Sequence, residues 1–291
     1  MANKSIDSKH NISYKYFKKV ASKKKFRKEQ NKTMLIGPHI IKTFLDAKKE
    51  IECLIKDEHS QSQEIDEITK VNTKIDIFTL KHRLFLELSD LKSSNGLIAL
   101  VKIPSEPNAE IQKGLNLFID GIQDPGNLGS ILRTAEAAGV NSIYLSKKTA
   151  ELWSPKTLRG SQGAQVNLEC HENHDLLMLC EQIKLPIYSL SLCGESLYKE
   201  DIPEDLFLVL GNEGRGIDKK IISKSTKSIS IPMHGSVESL NVAAAAGIFI
   251  YEHFREISIE FRELTSEISQ FFIAYLIISS SFISEVFFEI G

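Results

Sequence analysis

The chain has 291 residues, of which 42% are hydrophobic and 25% charged, the proportions of a folded protein of about two domains. These values exclude a disordered or collagen-like chain. The four cysteines form no CxxC pair, so the sequence predicts free thiols in a reducing compartment and no metal site. Residues 1–11 lack the apolar run of a secretory signal, which favours a cytoplasmic location.

The first domain is predicted to be a small α+β unit at residues 12–103. Its expected elements are a basic helix, an apolar helix, a strand, a third helix and a last strand, at 12–26, 39–49, 51–55, 64–71 and 97–103. Pro104 and Pro107 follow, and two prolines so close together oppose both helix and sheet. We therefore predict a linker over residues 104–114.

The second domain, at residues 115–255, is predicted to be α/β, with a mostly parallel sheet covered by helices. The reason is that short apolar runs alternate with helical stretches. The predicted strands lie at 115–119, 142–145, 186–190, 206–210 and 228–231, and the predicted helices at 128–138, 176–184 and 240–255.

Charge is unevenly distributed along the chain. Residues 1–30 form a basic arm with ten Lys and Arg against Asp7 and Glu29, and four aromatic residues lie between them. This composition suits phosphate neutralisation and base stacking, although a lysine-rich terminus can also be merely a solvated face. The candidate nucleic-acid-binding residues are Lys18, Lys19, Lys23, Lys24, Lys25 and Arg27.

Residues 256–291 form an acidic and apolar tail. Within it, residues 268–284 carry no charge, but this run is at the short edge of the ~20 residues that span a bilayer, and four serines dilute it. We predict that the tail packs on the second domain or on a partner subunit and does not enter a membrane.

Three segments of the second domain each follow a predicted strand, where open α/β sheets bind their ligands. The first, DPGNLGSILRTAEAAG, begins at Asp124. Asn127 is placed to cap the helix, and Arg133 lies within about 120° of it around the helix axis. A helix N-terminus beside a guanidinium suits a phosphate, and a plain surface arginine is the alternative interpretation.

The second segment, LVLGNEGRGI, has three glycines after a strand, which lets a ligand approach the backbone, although GxxGxG is not the dinucleotide fingerprint. Glu213 either accepts hydrogen bonds from a ligand or braces Arg215.

The third segment, IPMHGSVESLNVAAAAG, opens an alanine-rich helix. Its Ser239 and Asn241 either cap that helix or act in a site.

Together the three segments resemble the motifs of the SpoU (TrmH-like) branch of the SPOUT RNA methyltransferases, over about residues 115–253. The first domain resembles that family's ribosomal-protein-like substrate-binding domain, chiefly in GPHIIKTFLDA, and SPKTLRGSQGA is similar to a family loop. The resemblance implies a C-terminal trefoil-knot domain that binds S-adenosylmethionine, forms a homodimer through the knot and methylates a ribose 2'-hydroxyl of structured RNA.

The resemblance also assigns roles to residues. Those of the cofactor pocket are Leu190, Leu210, Gly211, Ile231, Met233 and Leu240, and those nearest the reacting hydroxyl are Asn127, Arg133, Glu213, Ser239 and Asn241. Because a guanidinium is a poor base, we expect Arg133 to hold the RNA phosphate beside the target, so that the phosphate or a water takes the proton. Ala243–Ala246 depart from the family, which often has serine there.

Ribosomal RNA is the expected substrate, because an added N-terminal domain suits a large folded RNA. A transfer RNA substrate remains an alternative, and so does a non-catalytic RNA-binding factor on the same fold. The presence of all five polar motif residues favours an enzyme.

Overall fold

The computed structural model describes residues 3–71, 75–94, 96–107 and 113–258, and these form two β-sheets with helices packed on them. Of the predicted tail at residues 256–291, residues 256 and 257 continue the last helix, and residues 259–291, which include the uncharged run 268–284, lie outside the described residues. No helix in the described part of the chain is long and apolar enough to cross a membrane.

The N-terminal sheet has five strands in the order β1-β4-β3-β5-β2. Strands β1, β4 and β3 run parallel, whereas β5 is antiparallel to both β3 and β2. The strands are β1 (Asn3–Ile6), β2 (Lys32–Ile36), β3 (Ile51–Asp57), β4 (Asp76–Leu80) and β5 (Leu97–Lys102), and the helices are α1 (Ile12–Ser22), α2 (Lys24–Gln30), α3 (Pro38–Asp46), α4 (Gln63–Val71) and α5 (His82–Ser89).

The basic helix predicted over 12–26 is in fact two helices. Lys23 has extended backbone angles, φ −116° and ψ 107°, so α1 ends before it and α2 begins after it. Strands β1, β2 and β4 and helix α5 were not predicted, because each is at most eight residues long and too short for a clear periodic pattern.

The second sheet has six strands, all parallel, in the order β11-β9-β10-β6-β7-β8. The strands are β6 (Leu115–Ile119), β7 (Ser142–Ser146), β8 (Glu169–His174), β9 (Ile187–Ser196), β10 (Leu206–Leu210) and β11 (Lys227–Ser230). The helices are α6 (Pro125–Ala137), α7 (Pro155–Ser161), α8 (Leu176–Gln182), α9 (Lys219–Ile222) and α10 (Val242–Ile257).

Helices cover both faces of this sheet, as the unbroken apolar runs of its central strands require. Along β6, Leu117 packs in the cluster that contains α6 and α10, whereas its neighbour Phe118 packs in the cluster of α8 and α9. The alternation follows from the period of two in a strand. Strand β8 was missed in the sequence because ECHENH is polar, as suits the edge of a sheet.

The two domains share a continuous apolar core that reaches from the N-terminal sheet to the parallel sheet. At the joint, the rings of Phe44 and Trp153 meet edge to face with centroids 6.5 Å apart, and the Thr33 hydroxyl donates to the Trp153 carbonyl at 2.6 Å. Arg27 is buried there and donates to both carboxylate oxygens of Glu151, at 2.8 and 2.6 Å. This joint fixes α1 and α2 against the second domain.

Candidate active site

Two hydrogen bonds join the three motif segments at the carboxyl edge of the parallel sheet. The Asn241 amide donates to the Asn127 side-chain oxygen at 3.0 Å, and the Asn127 amide in turn donates to the Glu213 carboxylate at 3.0 Å. The three residues are up to 114 positions apart in the chain. The convergence of the three loops on one place is therefore a property of the fold.

The expectation that Asn127 caps α6 is wrong. Asp124 is the capping residue, and its carboxylate accepts a hydrogen bond from the backbone N–H of Asn127 at 2.8 Å. Pro125 takes the first position of the helix, where its missing N–H costs nothing. The cap at Asp124 leaves the amide side chain of Asn127 available to bridge Asn241 and Glu213.

Asn241 has both of the roles that the sequence left open. Its side-chain oxygen caps α10 by accepting from the backbone N–H groups of Ala243 and Ala244, at 2.9 and 3.3 Å. Its amide nitrogen faces the other way and donates to Asn127. The cap orients the amide, so the start of α10 and the first turn of α6 are held in a fixed relation.

Glu213 lies in a tight turn after β10 in which Asn212 and Gly216 form an isolated antiparallel bridge. A Cβ on Gly211 would lie 2.4 Å from the backbone of Gly216, so the turn requires glycine there. Partial desolvation raises the pKa of Glu213, but hydrogen bonds from Asn127 and from backbone N–H groups, including that of Gln123, outweigh it and leave the pKa below its ordinary value. Glu213 is therefore an ionised acceptor for Asn127.

Arg133 shares α6 with Asn127, and Ser239 lies in the loop that leads to Asn241, but neither takes part in the hydrogen-bonded chain. Arg133 is exposed on α6, next to Thr134, which faces Gly247 of α10. Ser239 is exposed in the loop before α10. Neither side chain has a hydrogen bond to another described residue, so both remain available to a ligand, and their roles remain predictions.

The residues predicted for the cofactor pocket lie on a bulge in β9, at the end of β10 and after β11. Strands β9 and β10 pair only as far as Ser189 and Val209, and the pairing of β9 with β11 then jumps from Ser189 to Glu195. Residues 190–194 therefore form a bulge in β9 beside the carboxyl ends of β10 and β11. The predicted pocket residues lie at or after these strand ends, and they are Leu190, Leu210, Gly211, Ile231, Met233 and Leu240.

The basic arm differs from its prediction in two respects. Arg27 is only 5% exposed and its guanidinium is occupied by Glu151 and the Val20 carbonyl, so it is a structural residue and does not face nucleic acid. The rings of Tyr14 and Phe17 are buried in the domain core and offer no face for base stacking. Aromatic composition alone did not show which way these rings point.

The lysines of the arm are on the surface, as an RNA-binding role requires. Lys19 lies over the ring of Phe26, 5.5 Å from its centroid, and Lys18 is partly buried and donates to the Glu87 carbonyl. The other three are exposed, and these are Lys23, Lys24 and Lys25. Whether they bind RNA remains a prediction.

Two cationic residues of the second domain were missed by the sequence analysis. Lys156 and Arg159 of α7 line a cleft of about 330 Å³ together with Lys18 of α1. Helix α7 crosses α6 so closely that a Cβ on Gly129 would lie 2.8 Å from the Cα of Gly160. The cations of this cleft therefore stand between the basic arm and the helix that carries Arg133, and the signal for them was the SPKTLRGSQGA segment.

The fold is that of a two-domain α/β protein in which three loops converge at the carboxyl edge of a parallel sheet, with an N-terminal domain docked beside it. Profiles of two known families match: the SpoU rRNA Methylase family over residues 114–251 and the MRM3-like substrate binding domain over residues 11–99. The chain is 33% identical over 254 residues to the 23S rRNA (guanosine(2553)-2'-O)-methyltransferase RlmP of Bacillus subtilis, which covers 85% of this chain and 98% of that protein.

Solved structures show the same fold. An RNA 2'-O ribose methyltransferase superposes with a TM-score of 0.78 at 25% identity, over 87% of this chain and 98% of that one. An AdoMet-bound rRNA methyltransferase from Sinorhizobium meliloti gives 0.77 at 22% identity, over 88% and 99%. The chain therefore belongs to the SpoU rRNA methylase family, and the predicted SPOUT fold and RNA methyltransferase class are confirmed.

Proposed function

We propose that this protein transfers a methyl group from S-adenosylmethionine to a ribose 2'-hydroxyl of ribosomal RNA. The observation that carries the proposal is the hydrogen-bonded chain Asn241–Asn127–Glu213, which draws the three motif segments into one site. The similarity to the Bacillus subtilis 23S rRNA enzyme over nearly its whole length supports both the reaction and the class of RNA.

The residues present fit S-adenosylmethionine. Leu190, on the bulge in β9, and Ile231, just after β11, are partly buried apolar side chains, which suit an adenine ring. The tight turn that follows β10 requires glycine at Gly211, because a Cβ there would meet the backbone of Gly216. The structure from Sinorhizobium meliloti, which has this fold, holds the same cofactor. Once bound, the cofactor supplies an activated methyl sulfonium.

The protein must then align the ribose and help to remove one proton. Arg133 is exposed beside the site and retains its full set of donors, so it binds the phosphate next to the target ribose in a bidentate geometry. That phosphate, or a water held by it, takes the proton of the 2'-hydroxyl, since the guanidinium itself is a poor base. Ser239, on the neighbouring loop, contributes a hydroxyl that orients the ribose.

Glu213 and Asn241 act by positioning the Asn127 amide. Its nitrogen is committed to the Glu213 carboxylate and its oxygen to Asn241, so the side chain cannot rotate freely. The first turn of α6 is thereby held against the other two loops, and Arg133 is carried on that helix. Pre-organisation of this kind lowers the cost of assembling the site when RNA arrives.

The RNA reaches the site along the N-terminal domain. Exposed lysines of α1 and α2 form a path towards α6 together with Lys156 and Arg159 of the cleft, in which Glu87 and Asp90 balance part of the positive charge.

We also propose a homodimer through the second domain, because apolar side chains are exposed on the bulge in β9, on the loop before α10 and on α10. They are Leu192, Val237, Tyr251 and Ile257, each at least 41% exposed.

Mapping of 2'-O-methyl groups in RNA from cells with and without the gene tests this proposal. We expect one ribosomal RNA site to lose its methyl group when the gene is deleted and to regain it with the wild-type gene, but not with Asn127→Ala. Incubation of the purified protein with size-separated RNA and labelled S-adenosylmethionine then separates the candidates. Label in transfer RNA alone would favour the alternative substrate, and no label or cofactor binding at all would favour a non-catalytic factor.

A further inference from the structure

Strand β8, at the far edge of the parallel sheet, brings two histidines and a glutamate together. The Oε1 atom of Glu106 lies 3.6 Å from Nδ1 of His171 and 3.4 Å from Nε2 of His174, and the three ligand atoms all lie within 4.8 Å of one another. Glu106 belongs to the segment that leads from the first domain to the second. The group thus connects the interdomain segment to the edge of the sheet.

A β-bulge creates this arrangement. In a regular strand, residues three apart point to opposite faces, so His171 and His174 would diverge. Here Tyr144 of β7 pairs with His171 but Ser146 pairs with His174, which places one extra residue in β8. Asn173 takes up that residue with a φ of +64°, in the left-handed region. The bulge turns both imidazoles towards Glu106.

His171 carries an unsatisfied polar atom at this point. Its side chain is completely buried, and its Nδ1 has no hydrogen-bond partner among the described residues. A buried imidazole nitrogen without a partner costs free energy unless something unseen binds it. The ring is held in place, because it stacks on Tyr144 with the centroids 4.7 Å apart, so Nδ1 stays aimed at Glu106.

The other imidazole nitrogen has the partner that metal-binding histidines usually have. Nε2 of His171 lies 3.1 Å from the carboxylate of Glu169, in the manner of a carboxylate–histidine–metal relay. That contact fixes the proton on Nε2 and leaves the lone pair on Nδ1 for a cation. Two imidazoles and one carboxylate are a common zinc ligand set.

We propose that Glu106, His171 and His174 bind a zinc ion that fastens the interdomain segment to β8. Two ligands about 2.05 Å from a tetrahedral zinc are about 3.3 Å apart, close to the two separations observed to Glu106. Glu106 and Glu169 also line a cleft of about 500 Å³ between the domains, which gives the ion a route of entry.

The site serves structure and takes no part in methyl transfer. Three strands, β10, β6 and β7, lie between β8 and β9 in the sheet. At about 4.8 Å per strand, the zinc is roughly 19 Å from β9. With three protein ligands a water completes the coordination, an open arrangement that differs from the closed four-ligand set of most structural zinc sites.

A second group, Asp57, His59 and His82, is a weaker candidate. The Asp57 carboxylate already accepts from the His59 backbone at 3.1 Å and contacts Nδ1 of His82 at 2.8 Å, so its oxygens are occupied. The His59 side chain is also 68% exposed. This group provides a matched control for the site on β8.

Zinc titration of the metal-stripped full-length protein against a chromophoric chelator tests the proposal, with bound metal counted by mass spectrometry. We expect one zinc per chain, and binding at least about tenfold weaker in Glu106→Gln and in His174→Ala, whose side chains are partly exposed and tolerate substitution. Glu169→Gln keeps the stoichiometry but weakens binding about 10- to 100-fold. His82→Ala binds as the wild type does.

Thermal unfolding gives a second readout. Zinc raises the Tm of the wild type and of His82→Ala, but not that of His174→Ala. Equal zinc affinity in the wild type and His174→Ala, or loss of the zinc in His82→Ala, would overturn the proposal. Failure of the wild type to retain zinc would likewise overturn it and identify the three residues as a plain ion-paired cluster.

Discussion

Two polar groups in this protein each join segments that are more than 80 residues apart, and they differ in exposure. The chain Asn241–Asn127–Glu213 lies at the surface, at the carboxyl edge of the parallel sheet. The Arg27–Glu151 pair is almost completely buried at the joint between the domains, with side chains 6% and 9% exposed. The exposed chain can receive a ligand, whereas the donors of Arg27 are already occupied by Glu151 and by backbone carbonyls.

The type of a residue does not by itself decide whether the residue binds a ligand or stabilises the fold. Arg27 lies on α2 and Arg133 lies on α6, and both helices face RNA in the proposed function. Arg27 already has its donors occupied by protein acceptors, whereas Arg133 has none of its donors committed to another described residue. The following variants test this division between binding and structure.

The largest effect is expected for Arg133→Ala. It removes the guanidinium that holds the RNA phosphate, so the single-turnover rate of methyl transfer falls at least about 100- to 1000-fold. Because Arg133 is not among the residues predicted for the cofactor pocket, we expect S-adenosylmethionine affinity by calorimetry to stay within a few-fold. Glu136→Ala, also exposed on α6, retains the wild-type rate. Normal turnover in Arg133→Ala would disprove the assignment.

A large loss of stability is expected for Arg27→Ala. The substitution leaves the Glu151 carboxylate buried without its partner, which lowers the free energy of unfolding by about 3–5 kcal/mol. Urea denaturation measures the change. The double variant Arg27→Met with Glu151→Leu regains most of it, because no charge is then left unpaired. A stable Arg27→Ala protein with weakened RNA binding would show that Arg27 binds RNA and is not a structural residue.

A smaller effect is expected when the exposed lysines of the arm are removed together. Replacement of Lys19, Lys23, Lys24 and Lys25 by Ala weakens RNA binding about 10- to 100-fold and flattens its salt dependence, since each lost phosphate contact lowers the slope by about 0.7 to 0.9. The free energy of unfolding changes little. The matched control replaces four exposed lysines in or near α8 and α9 of the second domain, Lys184, Lys219, Lys220 and Lys224. Equal salt slopes in the two variants would show that the arm is only solvated.

The sequence predicted the second domain better than the first. Long apolar strands such as β6 and β10 were predicted with their observed bounds, since an apolar run between turn residues is a strong signal. In α1 the buried residues Tyr14, Phe17 and Val20 recur every three positions between lysines. That spacing could have shown that the aromatic rings face the core.

The sequence predicted that the three motif segments meet, but not the geometry by which they do so. Motif order identified Asn127, Glu213 and Asn241, yet only coordinates show that the Asn127 amide connects the other two. The proposed zinc ligands could not be predicted from the sequence for a related reason. Glu106 is 65 positions from His171, and the bulge at Asn173 that aligns the histidines has no sequence signature of its own.

The smallest expected effect is the pH response of Glu213. Its pKa is below the ordinary value in the folded protein, so its contribution to stability is present above the unfolded pKa of about 4.3 and is lost as the pH falls through the lowered folded value. The pH–rate profile should therefore show no step from Glu213 between about pH 6 and 9. Glu213→Gln removes the ionised acceptor and slows turnover about tenfold, without changing the shape of the profile over that range. A step in the wild type that vanishes in Glu213→Gln would mean that Glu213 exchanges a proton during the reaction, and its role would then be that of a base.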